Sequence, residues 1–170
     1  LNTPSVMAAL GTTGHAWQDC NRVVDLKMTL SGDWMQHFQQ DLPELLAAKK
    51  RVLVYSGEYD FVCNWYGGNA WTNNMSWPGQ QQFVTAPNTT WTVNQGDYLH
   101  QASDREHAGG KHTNVVLSGG GGGATVAGSA RSYDGFTFLR VANAGHMVPK
   151  DQPINALDMV KRHLADQPFG

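Results

Sequence analysis

Two runs of apolar positions stand out along the chain, and each ends on a polar residue with chemical potential. Basic residues stop at Arg51, the β-favouring stretch Val52-Leu53-Val54-Tyr55 follows, and Gly57 interrupts it. This pattern predicts a strand buried on both faces, with Glu58-Tyr59-Asp60 just past its carboxyl end. The second run, Phe136-Thr137-Phe138-Leu139-Arg140-Val141, predicts a further strand leading into Asn143-Ala144-Gly145-His146 and a loop bounded by Pro149. Helical spacing appears before the first strand. Trp34, Phe38, Leu42, Leu45 and Leu46 follow Asp33 as N-cap, Pro43 divides the run, and Lys49-Lys50-Arg51 close it. A helix, in one or two pieces, is expected there, and a helix feeding a buried strand is a unit of α/β architecture.

The remaining segments fill in around these. Thr3 as N-cap, Pro4 at the first helical position and Gly11 as terminator predict a short helix. Val23, Val24, Leu26, Met28 and Leu30 read as extended or irregular. Residues 64–77, with Trp65, Trp71 and Trp77, predict a helix over the exit of the first strand, and 78–88 a loop. Trp91-Thr92-Val93 predicts a short strand that pairs with a returning strand over 124–133, forming a ribbon. The polar, glycine-rich insertion at 98–123 forms its flexible tip. Asp151 is expected to N-cap a closing helix in which Pro153 stands near the start and Ile154, Leu157, Val160 and Leu164 form the apolar face.

Composition narrows the function. With 170 residues, 41% hydrophobic and 10% aromatic, the chain is globular. Its 12 Lys+Arg and net charge of −2 provide no basic stripe for nucleic acid. No apolar run approaches the roughly 18 residues that span a bilayer, so no membrane insertion is expected. The opening Leu1-Asn2-Thr3-Pro4 contains neither an initiator Met nor a signal segment, and any targeting peptide is expected outside this piece. The two cysteines, Cys20 and Cys63, permit one disulfide, two free thiols or bonds to a partner chain.

An Asp after a strand is most often a turn or capping residue. Here a His follows a later strand in the same manner, and Asp then His is the back half of the chain order Ser…Asp…His of α/β-hydrolases. Asp60 and His146 are therefore the candidate catalytic pair. Ser56, Ser118 and Ser129 each lack the Gly-x-Ser-x-Gly pattern of a nucleophile. Gly119 to Gly123 open no helix and precede no Lys-Ser/Thr, which argues against a phosphate loop. His100, His107 and His112 read as a solvated loop rather than a metal site, and no metal or cofactor is expected. Asn74-Met75-Ser76 and Asn88-Thr89-Thr90 are glycosylation sequons, expected at the surface of a secreted protein.

Gly57-Glu58-Tyr59-Asp60-Phe61-Val62-Cys63-Asn64-Trp65, Ala70-Trp71, Ala127-Gly128 and Ala144-Gly145-His146-Met147-Val148-Pro149 together resemble the serine carboxypeptidase family. The likeness extends upstream through Leu1 to Val6, Cys20-Asn21 and Gly32-Asp33-Trp34-Met35. Cys63-Asn64 is similar to the carboxypeptidase Y and cathepsin A branch; the glycine-rich 98–123 segment departs from the family by its length. The resemblance implies the C-terminal half of an α/β-hydrolase fold, with mostly parallel strands, flanking helices and a β-ribbon excursion in a single domain. It implies a serine-type carboxypeptidase in which this chain holds Asp60 and His146 while the Ser lies on a missing N-terminal half.

The resemblance also implies that Cys63 lines the pocket as a free thiol, that Met147 borders the leaving-residue pocket, and that Trp34 forms an acyl-side wall. Cys20 would be bonded to the N-terminal half. Its implied partners are a peptide or protein C-terminus as substrate and the Ser-bearing half. A lysosomal, vacuolar or secreted location follows. A cut sheet would expose an apolar strand edge, giving a bound partner segment or a self-associating homo-oligomer. Two other readings remain: an acyltransferase or hydroxynitrile lyase on the same scaffold, and a structural or interaction fragment without catalysis of its own.

Overall fold

The computed structural model describes residues 1–94, 96 and 123–170, arranged as two units, Leu1–Phe38 and Gln39–Gly170. The glycine-rich tip and His100, His107 and His112 lie outside the described residues.

In the first unit, α1 (Pro4–Leu10) starts on Pro4 and stops on Gly11, whose left-handed backbone (φ 67°) turns its own N–H to the Ala8 carbonyl and the following Thr12 N–H to that of Met7. Thr3 precedes the helix but its side chain makes no capping bond. The connection is clasped by Asn2, which donates to the Trp17 carbonyl (3.0 Å) and accepts from the Trp17 N–H (2.7 Å). The stretch expected to be extended is instead a helix, α2 (Arg22–Ser31). Asn21 accounts for it, because its side chain accepts the N–H groups of Val23 and Val24, and Gly32 closes the other end in the left-handed region. The helix expected after Asp33 is broken further than Pro43 alone suggests. Short 3₁₀ turns occupy Asp33–Met35 and Phe38–Asp41, and Pro43 sits in the first turn of α3 (Leu42–Ala47).

The second unit is built on one sheet with strand order β1-β4-β3-β2, formed by β1 (Val52–Gly57), β2 (Thr89–Asn94), β3 (Ala124–Tyr133) and β4 (Phe136–Val141). β1 and β4 are parallel, whereas β3 pairs antiparallel with both β4 and β2. The class is α/β as the sequence implies, and the ribbon continues the sheet beyond β4, making the sheet mixed. The alternation of strand side chains sends Phe136, Phe138, Val52 and Val54 to one face, where they meet Leu46, Met75, Trp77 and Phe83. That face is covered by α3, by α4 (Trp65–Asn74) and by α5 (Gln80–Thr85). The last of these helices lies in the stretch read as loop: it is only six residues long and buries a single side chain, Phe83, so it leaves little periodicity to detect.

Leu53, Leu139 and Val141 point to the opposite face, with Trp91, Val93 and Ala130, and pack under α6 (Val148–Asp151) and α7 (Pro153–Ala165). Here the sequence reading needs correction. Gln152, not Asp151, stands at the N-cap position of α7, without a side-chain capping bond, and the helix buries Ile154, Asn155, Ala156, Asp158 and Met159. Leu157, Val160 and Leu164 are exposed. The helix is rotated by a polar anchor: Asp158 accepts from the buried Trp91 indole at 2.8 Å and from Arg162 at 2.7 Å. Leu157 and Val160 instead line an open apolar trough with Leu53, Tyr55 and Ala156. β1 likewise departs from burial on both faces. Val52 to Val54 are half-buried and Tyr55 is exposed, because among the described residues only β4 pairs with it. No helix among the described residues is long and apolar enough to cross a membrane.

Candidate active site

The parallel register between β1 and β4 creates the site. Gly57 stands opposite Val141, so both strands end at the same level and the loops that follow emerge side by side. This is the carboxyl edge at which α/β sheets carry ligands. The loops are laced together by backbone: Glu58 N–H donates to Val141 (2.9 Å) and Tyr59 N–H to Ala144 (2.9 Å). Gly57 is required where they meet, since a Cβ would run into the carbonyl oxygens of Gly145 and Ala144.

Asp60 and His146 converge from the two loops. His146 Nδ1 lies 2.9 Å from Asp60 Oδ2, while Asp60 Oδ1 accepts the N–H groups of Val62 and Cys63, each at 3.0 Å. The Asp side chain is 5% exposed and the imidazole 63%. Burial by itself pushes the Asp60 pKa up. The Cys63 amide, the hydrogen bond and charge of His146, and the Val62 amide outweigh it and hold the carboxyl below its ordinary value. An ionised, acceptor-only carboxylate then fixes the hydrogen of a neutral imidazole on Nδ1 and leaves Nε2 as the basic nitrogen.

Neighbouring residues hold the His-bearing loop. Asn143 takes a positive φ of 55°, which Asn tolerates better than most residues. Its N–H donates to Glu58 Oε2 (3.2 Å), and its side-chain oxygen accepts from the Tyr59 hydroxyl (3.3 Å). Glu58 also faces Arg140 at 3.9 Å, and that guanidinium lies 4.8 Å from the Trp65 ring centre. Asp151 accepts from Gly145 N–H at 2.8 Å, a different task from the helix cap expected of it. Sequence reasoning assigned no role to Glu58, Tyr59 or Asn143. The available signal was their place in the two strand-exit segments that carry Asp60 and His146.

Of the other expected site residues, Cys63 joins the pair, with a ligating atom from each of Asp60, Cys63 and His146 within 4.8 Å of the others. Met147 follows His146 at the start of α6 and is exposed. Trp34 is an exposed residue of the first unit, in the 3₁₀ turn Asp33–Met35. Cys20 and Cys63 are both free thiols and exposed. Asn74, the last residue of α4, and Asn88, just before β2, are exposed as well.

Known proteins resemble the chain along nearly its whole length. The family model described as serine carboxypeptidase matches residues 1–166. The chain is 38% identical over 165 residues to carboxypeptidase Y of Candida albicans, covering 97% of this chain and 25% of that protein. It is 35% identical over 169 residues to carboxypeptidase Y homolog A of Chaetomium globosum, covering 99% of this chain and 26% of the relative. The chain thus spans about a quarter of the length of these relatives. Among solved structures it resembles the prohormone-processing carboxypeptidase Kex1 of Saccharomyces cerevisiae, with a TM-score of 0.63 and 23% identity. That likeness covers 96% of this chain and 30% of the other, and concerns the fold.

Proposed function

Because the chain belongs to the serine carboxypeptidase family and spans its C-terminal portion, we propose that it supplies the Asp and His of a Ser-Asp-His triad, with the Ser on another part of a longer protein. The observation that carries this reading is the 2.9 Å contact between His146 Nδ1 and Asp60 Oδ2 at adjacent strand exits. In the completed site, Nε2 of His146 takes the proton from the serine hydroxyl as it attacks the last peptide bond, then returns it to the departing amino acid. Asp60 keeps the imidazole in the tautomer that allows both steps and stabilises the imidazolium between them. Cys63 and Met147 lie beside His146 and would border the substrate, and Trp34 would wall the acyl side.

The chain contains no Gly-x-Ser-x-Gly pentapeptide, so by itself it is proposed to be inactive. The half-covered β1 edge and the trough of Leu53, Tyr55, Leu157 and Val160 would receive the serine-bearing segment, in keeping with the share of the relatives' length that this chain leaves uncovered. Cys20, exposed and free, would bond that segment. Exposed Asn74 and Asn88 would accept glycans in a secreted, lysosomal or vacuolar setting. The test is release of the C-terminal amino acid from an N-blocked dipeptide by the complete protein. His146→Ala should lower turnover by a factor on the order of 10⁶ with circular dichroism unchanged. Retained turnover contradicts the assignment.

A further inference from the structure

We propose that Glu58 is a positioning residue of the Asp60–His146 pair: it braces the two strand-exit loops against each other and so fixes the distance across which His146 meets Asp60. The inference rests on the triad reading above and adds a residue to it. Glu58 stands two residues before Asp60, at the exit of β1, with its own N–H pinned to the Val141 carbonyl at 2.9 Å. From there its carboxylate crosses to the other loop. Oε2 accepts the N–H of Asn143, three residues before His146, at 3.2 Å, and Oε1 faces the Arg140 guanidinium at 3.9 Å.

Arg140 runs the brace in the opposite direction. It lies on β4, the strand that leads to His146, opposite Ser56 of β1. Its guanidinium lies 4.8 Å from the ring centre of Trp65, which is the first residue of α4 and follows the turn that carries Asp60 and Cys63. Each exit is thereby held by a side chain from the other, and the two side chains meet at the Glu58–Arg140 pair. Nε of Arg140 is buried without a hydrogen-bond partner, and among the described residues Glu58 is the one carboxylate this cation faces.

At 3.9 Å, with the Arg140 and Glu58 side chains 34% and 28% exposed, the pair contributes little to stability. Its effect is on geometry. Asn143 is where the chain leaves β4, at a φ of 55°, and the direction taken there aims Gly145 and His146. The Asn143 side chain also accepts from the Tyr59 hydroxyl at 3.3 Å, and its carbonyl from Gln152 at 3.0 Å, both neutral donors. Glu58 supplies the charged acceptor, which makes the stronger kind of hydrogen bond. Without it the turn at Asn143 keeps only its neutral ties, and the exposed imidazole ranges more widely against a buried Asp60. Misplacing a reacting group by about an ångström costs on the order of 10² in rate.

The experiment compares Glu58→Ala with Glu58→Gln, whose side-chain oxygen still accepts from the Asn143 N–H. Turnover of an N-blocked dipeptide by the complete protein is measured at a temperature where circular dichroism shows every variant folded. Glu58→Ala should lower kcat by about 10- to 100-fold with KM within about twofold, and Glu58→Gln should restore kcat to within about fivefold of the parent. In the ¹⁵N-labelled protein the Nδ1–H signal of His146 should weaken in Glu58→Ala and persist in Glu58→Gln. Parental kcat in Glu58→Ala overturns the proposal, as does a rise in KM alone or a Glu58→Gln variant as slow as Glu58→Ala. Retained turnover in His146→Ala is a failure of the triad reading instead. The imidazole signal needs no serine and decides the matter in that case too: an Nδ1–H signal unchanged in Glu58→Ala shows that Glu58 does not set the contact.

Discussion

The two sides of the sheet's long axis are built for different ends. On the β2–β3 side the chain buries Trp91, Val93, Ala127 and Ala130 almost completely and ties them through Asp158 to the closing helix. On the β1–β4 side, β1 is only half-buried, Tyr55 faces solvent, and two polar loops are bound together by hydrogen bonds rather than by apolar packing. β4 itself is buried, so the contrast lies in β1 and the strand-exit loops, which are the part of the sheet that carries the candidate chemistry. Loops carried at a strand's exit can present a titratable pair only because the neighbouring strands are held elsewhere, a division common to scaffolds with functional loops.

This comparison can be broken by substitution. After His146→Ala, the largest expected effect is that of Asp60→Asn in the complete protein: a loss of about 10⁴ in turnover with little change in thermal stability, because the amide cannot fix the Nδ1 hydrogen of His146. A fall in stability matching the fall in rate would mean that the pair is structural. Next comes Trp91→Ala, expected to cost about 3–5 kcal/mol in chemical denaturation, since it removes a fully buried ring and the indole hydrogen bond to Asp158. Under conditions that keep this variant folded, the Asp60–His146 contact should persist; its loss would show that the two sides are not separable. Gly57→Ala is expected to cost about 1–3 kcal/mol and to push the His146 loop away from Asp60, lowering turnover as well. Unaltered turnover would show that the loops do not depend on their close approach.

The smallest effect is a titration. The Asp60 carboxyl, held below its ordinary value of about 3.9, should remain charged as pH falls past that value. Stability drawn from its bonds to the Val62 and Cys63 amides and to His146 is then fully present above the unfolded pKa and lost as pH drops through the lower folded one. Carboxyl ¹³C resonances should show Asp60 titrating below the ordinary aspartate value of about 3.9, and titration above that value would contradict the geometry.

Much of the fold was legible because local chemistry and tertiary context agree. Gly11 stops α1, Gly57 ends β1, the 124–133 strand pairs back on Trp91-Thr92-Val93, and Asp60 and His146 fall just beyond parallel strands. Where they disagree, sequence patterning misleads. Val23 and Val24 favour strands, yet Asn21 and Gly32 cap a helix whose apolar side chains remain exposed. The face of α7 follows the Trp91–Asp158 hydrogen bond, a contact across 67 residues that no periodicity reveals. The half-burial of β1 depends on which strands flank it, and so on chain beyond the local pattern. In the site, Glu58 and Asn143 meet through a bond between the two loops, visible only once the register is known, and Asp151 takes the Gly145 N–H within its own connection.

Asp60 and His146 are proposed to act as one acid–base pair, and the tautomer of His146 tests this most directly. At a pH well above the ordinary histidine range, ¹⁵N shifts of the imidazole should show the hydrogen on Nδ1 and an unprotonated Nε2, with the Nδ1–H signal lost in Asp60→Asn. An imidazole carrying its hydrogen on Nε2, indifferent to Asp60→Asn, would contradict it.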